Sequence, residues 1–183
     1  MLNIILNDIY TSLIEYIELA VGFSVLVILI VYALKILLIP NRINMPLKTR
    51  LWRLVLIFSF NIYLFLIISI TILCREPGSR SEVSLMVFDT FSKDLSGNVY
   101  PIENILLFIP FGLLLPLLNK RLHTVIRTTG LGLMSSLLIE VTQYITQRGY
   151  FQIDDIITNV LGTIIGYLIF IVVNRFYKTI QSS

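Results

Sequence analysis

The sequence predicts an all-α fold: a polytopic bundle of about five membrane-spanning helices, with the N-terminus outside and the C-terminus in the cytoplasm. Three observations carry this. The 183 residues are 56% hydrophobic and 14% charged, whereas a soluble domain has about 25% charged residues. A water-soluble fold of this length cannot hide so much apolar side chain. Apolar stretches of about 20 residues, enough to cross a bilayer at about 1.5 Å rise each, recur along the chain. Finally, ten Lys and Arg residues fall on one set of alternate connections and four on the other, a positive-inside bias. The composition excludes an ordinary cytosolic enzyme, a disordered tail and a disulfide-framed module. Cys74, the single cysteine, has no partner for an internal disulfide.

Residues 1–18 read as an amphipathic N-terminal segment. Asn3, Asn7, Thr11 and Glu15 recur every fourth position and mark one helical face. Asp8, Glu15 and Glu18 stand where a signal peptide would be basic. Residues 19–74 hold the first two spans, Leu19–Ile39 and Leu54–Leu73. Lys35 is placed to snorkel to the inner surface, Trp52 to anchor at the interface, and Asn61 to hydrogen-bond a neighbouring helix. Residues 75–98 form an outward loop that opens on turn residues. Val83, Leu85, Met86, Val87, Phe88 and Phe91 make it too apolar to float in water. It reads as an interfacial segment or a cap over the bundle.

Residues 99–183 form a core of three spans with a short basic tail. The spans are Val99–Leu118, Val125–Ile145 and Ile156–Val173. Pro110 and Pro116 in the first of these predict a kink or only partial entry into the bilayer. His123, in a basic inner loop, reads as a solvated histidine. The inner basic loops are the topology signal and suit contact with anionic lipid, not nucleic acid.

Ionisable side chains inside spans are expensive and mark candidate function. Glu140 lies about 7 Å of helical rise from the outer end of the fourth span. Gly132, Ser136, Glu140 and Gln143 form one stripe at spacings of four, four and three. On the fifth span Asp155, Asn159, Gly162 and Gly166 form another, and its two glycines make a small-xxx-small motif. Facing the stripes predicts small residues meeting in the inner half and polar ones in the outer half. Gln143 then comes level with Asp155, and Glu140 with Asn159. The result is a polar pocket opening outward, with Asn104 entering from the third helix. Arg148, in the connecting loop, is placed to pair with a carboxylate or hold an anionic headgroup. Asp154 is placed beside it near water.

These blocks resemble the VanZ-like family of membrane proteins. The resemblance rests on Asn104-Ile-Leu-Leu-Phe-Ile-Pro110-Phe-Gly112 and Ser136-Leu-Leu-Ile-Glu140-Val-Thr-Gln143. It continues through Arg148-Gly-Tyr-Phe-Gln-Ile-Asp154-Asp155 and Asn159-Val-Leu-Gly162, with Gly166 after that. Upstream, Ser84 and Val87-Phe88 stand where the family often shows an Asn and a Pro-Phe pair. The resemblance implies a multi-pass protein of the bacterial plasma membrane, associated with resistance to the glycopeptide teicoplanin. It implies a phenotype and not a reaction.

Three functions compete. The first is a non-enzymatic envelope protein. Its outer pocket (Asn104, Gln143, Arg148, Asp154, Asn159) would bind a membrane lipid, a lipid-linked cell-wall precursor or a lipophilic glycopeptide. The second is an intramembrane enzyme modifying an envelope lipid, with Glu140 as general base and Asp155 orienting it or binding a metal. The third is a small proton-coupled carrier using Glu140, which the lack of a visible inverted repeat disfavours. The plain alternative to all three is glue: polar side chains that only bond helices together, at about 0.6 kcal/mol each. Two carboxylates argue against it, because Ser or Thr bonds helices at lower desolvation cost. No cofactor is expected. One His and one Cys exclude a zinc site of usual composition, and magnesium or calcium on Glu140 and Asp155 is the alternative.

Overall fold

The computed structural model describes residues 14, 16–30, 46–78, 83–87 and 99–182. The polar face of Asn3, Asn7, Thr11 and Glu15, the span portion 31–39 with Lys35, and the loop residues Phe88 and Phe91 lie outside the described residues. The fold is an all-α bundle. Among the described residues, four helical spans are long and apolar enough to cross a membrane: Leu47–Leu73, Val99–Leu118, Val125–Thr146 and Ile153–Phe176. A shorter apolar helix, α1, occupies Tyr16–Ile30. Its Phe23 ring lies 5.5 Å from that of Phe65 on the next helix. Many large aliphatic side chains point outward, Ile126 being 82% exposed. Such a surface suits acyl chains and not water.

α2 (Leu47–Ile68) continues into a π-helical turn at Ser69–Leu73. Asn61 donates to its own helix at Ile57 O, 2.8 Å. It therefore satisfies itself within one turn, where its mid-span position predicts a bond to another helix. Tyr63 does cross helices, its hydroxyl donating to Leu107 O at 2.7 Å. α3 (Val99–Leu118) runs its full predicted length through both prolines. Ile67, Phe108, Phe111, Leu115 and Ile139 form the core cluster around α3.

A 3-10 turn (Lys120–Leu122) leads into α4 (Val125–Thr146). His123 is exposed, as a solvated histidine should be, and also makes local contacts: a ring nitrogen lies 3.0 Å from Pro116 O, and its ring stands 4.9 Å from that of Phe170. The Tyr167 hydroxyl donates to His123 O at 2.8 Å, tying this turn to the last helix. α4 stops in a Schellman motif. Gln147 takes a left-handed φ of 54°, Arg148 N donates to Gln143 O at 2.9 Å and Gln147 N to Tyr144 O at 3.2 Å. A two-residue strand, β2 (Phe151–Gln152), pairs in parallel with β1 (Val83–Ser84) of the loop between α2 and α3. α5 (Ile153–Ser182) follows.

α5 packs most extensively on α3, and next on α4. At α3–α5 the backbones nearly touch. A Cβ on Gly162 would overlap Ile105 O, one on Gly166 would overlap Ile109 O, and one on Gly112 would overlap Thr163 O. The small-residue motif of α5 thus serves α3 and not, as the stripes predict, α4. The reason is steric: at Gly162 and Gly166 the α3 backbone itself, at Ile105 O and Ile109 O, fills the space a side chain would need.

Candidate functional site

The ends of α2 and α4 converge with the starts of α3 and α5 on one end of the bundle. Arg50, Arg53, Lys120, Arg121 and Arg175 stand at the opposite end. Antiparallel α4 and α5 meet in a definite register. Gly132 lies against Thr163, whose side chain a Cβ there would strike. One turn on, Asn159 Nδ2 donates to Ser136 Oγ at 2.9 Å. One turn further, Glu140 and Asp155 act on each other electrostatically. Asp155 is therefore level with Glu140, and Asn159 with Ser136, about one turn from the predicted register. The Schellman motif and β2 cause the difference. They take up residues 147–152 and bring α5 in later than a plain hairpin would.

Glu140 is 1% exposed. Its Oε2 accepts from Gln152 N at 3.0 Å, so the short strand that starts α5 also fixes the carboxylate. Asp155 is half-buried and hydrogen-bonds the Asn104 side chain, which brings α3 into the cluster as predicted. Asp154 is 2% exposed; it is not near water. Both aspartates occupy the first turn of α5, where the helix dipole favours negative charge.

The cation of this cluster is Arg75, just beyond the π-helical turn that ends α2. It acts on both Glu140 and Asp155. A Cβ on Gly149 would lie 2.7 Å from Arg75 Nη1 and 3.1 Å from Gln143 Cδ. Gly149 is thus the gap that admits the guanidinium. Sequence reasoning misses Arg75 because it counts only as a loop charge there. The available signal is that two carboxylates at membrane depth need a cation, and Arg75 is the first beyond α2.

Arg148 is half-buried at the edge. Its Nη1 donates to Ile72 O at 3.1 Å and Leu73 O at 3.4 Å, capping the carbonyls of the π-turn. Gln143, 2% exposed, donates from Nε2 to Thr71 O at 2.8 Å. That contact fixes its amide orientation, since only nitrogen can face a carbonyl. Gln143 Oε1 is buried and, among the described residues, has no partner; the same holds for Asn159 Oδ1. The site is therefore rich in acceptors, with two carboxylates and two unfilled amide oxygens. Among the described residues no group of three His, Cys, Asp or Glu is placed to hold a metal ion.

The VanZ/LLP1 family model matches residues 23–174 of this chain. Comparison with curated proteins and with solved structures gives no match.

Proposed function

This chain belongs to the VanZ/LLP1 family, and from that footing we propose that it acts at the outer leaflet of the bacterial plasma membrane. There the cluster of Glu140, Asp155 and Arg75 binds the polar part of a lipid or lipid-linked cell-envelope component. Through that binding the protein contributes to resistance against teicoplanin-type glycopeptides. The observation that supports this reading is the buried, unfilled acceptor Gln143 Oε1 beside two coupled carboxylates. A buried acceptor left unmade costs about 1–3 kcal/mol, and a ligand hydroxyl or amine would recover it. Sugar hydroxyls and amine headgroups supply such donors. Arg148, at the cluster's edge, provides the cation for a phosphate on the same ligand.

A second reading draws on the coupling between Glu140 and Asp155. One carboxylate close to another suits acid–base work on an envelope lipid. The two readings separate on Glu140→Gln and Asp155→Asn, which keep shape while removing charge. At matched membrane levels, lost teicoplanin resistance with an unchanged lipid profile supports binding. A changed profile supports the enzyme. Unaltered resistance and lipids in both variants would leave neither reading with a site.

A further inference from the structure

The end of the α2 span is tied to α4 near the polar end, where Gln143 and Arg148 hold the carbonyls of Thr71, Ile72 and Leu73. Deeper in the bundle they diverge. The space between them is an open groove of about 260 Å³. Leu64 and Ile68 form one wall, Leu138 and Thr142 the other, and Phe108 and Phe111 the floor. The Thr142 hydroxyl is turned back onto Leu138 O at 2.7 Å and offers the groove no free donor, which leaves Ser135 as the other hydroxyl of the lining. From Leu64 to Ile72 the groove runs along the helix axes for about 12 Å. Its mouth is Ile72 and Thr142: the carbonyl of the first binds Arg148, and the second precedes Gln143. The other apolar helix, α1, is engaged elsewhere on α2 through Phe23 and Phe65.

We infer that this groove is the tail subsite for one acyl chain of the membrane lipid whose headgroup occupies the polar cluster, an inference that rests on the function proposed above. Three features select that occupant. The groove parallels the direction in which lipid chains lie. It is lined almost wholly by apolar atoms at membrane depth. It also opens directly beside the cations and amides that would hold a headgroup. Bulk lipid is as apolar as these walls, so no hydrophobic force draws a chain in. Residence above background comes from dispersion contacts along Phe108 and Phe111 and from the tether of the bound headgroup.

The test uses the full chain in nanodiscs of phosphatidylethanolamine and phosphatidylglycerol. A fraction of the phosphatidylglycerol carries a diazirine midway along one acyl chain. After photolysis, labelled residues are mapped by mass spectrometry. Labelling at Leu64, Ile68 and Leu138 is expected to exceed that at Leu161, Leu168 and Val172, which are exposed on α5, by about tenfold. Ser135→Phe, which fills the groove from α4, removes the excess; Ile68→Phe on the facing wall does the same if the first variant folds poorly. Equal labelling of groove and α5 in the wild type would overturn the inference, whatever the headgroup site does. Excess groove labelling that survives Glu140→Gln keeps the tail subsite and removes the headgroup reading instead.

Discussion

Arg75 carries a charge shared by two carboxylates that reach it from different helices. Removing it strands Glu140, which is 1% exposed, without a cation. Arg75→Gln is therefore expected to lower stability in detergent by about 1–3 kcal/mol, read as a fall in the thermal unfolding midpoint. Adding Glu140→Gln to that variant recovers part of the loss, because the uncompensated charge is then gone. Glu140→Gln alone keeps an acceptor for Gln152 N and leaves the midpoint nearly unchanged. Glu140→Leu orphans that N–H and lowers it. Glu140 and Asp155 are legible in the sequence, since an ionisable group in a span is conspicuous. Arg75 is not. Its partners lie far along the chain, and only the fold turns the end of α2 toward the start of α5.

At the scale of elements, the glycines separate into those under a neighbouring backbone and those in open space. Gly166→Ala drives a methyl against Ile109 O and is expected to cost about 1–3 kcal/mol. Gly130, within α4, has nothing within 4 Å of an added Cβ. Gly130→Ala is expected to be neutral or to stabilise by up to about 1 kcal/mol. Thermal unfolding of the two variants side by side checks the pairing of α5 with α3. Hydropathy reveals the existence of all four long helices and bounds α3 and α4 to within a residue, but α2 starts seven residues before its apolar run and α5 continues nine beyond it. It misplaces the α4–α5 register because nothing in a hydrophobic pattern marks a Schellman motif closed by Gln147 instead of glycine. The β1–β2 pair is equally hidden: two residues on each side carry no periodicity.

Across the whole molecule, polarity runs from end to end. Basic side chains gather at one end, and the carboxylate cluster sits at the other. The positive-inside bias predicts that the cluster faces outward. Cys74, the only cysteine and exposed at the cluster end, reports this without engineering. A membrane-impermeant maleimide is expected to label it on intact cells, and labelling only after permeabilisation would invert the topology. The most direct measurement compares the lipids that copurify with the wild-type chain and with Glu140→Gln at equal folded amounts. The predicted result is a lipid enriched over the bulk membrane in the wild type and reduced to its bulk share in the variant. Identical copurifying lipids in both would contradict a binding role for Glu140 and leave the cluster as helix-bonding structure alone.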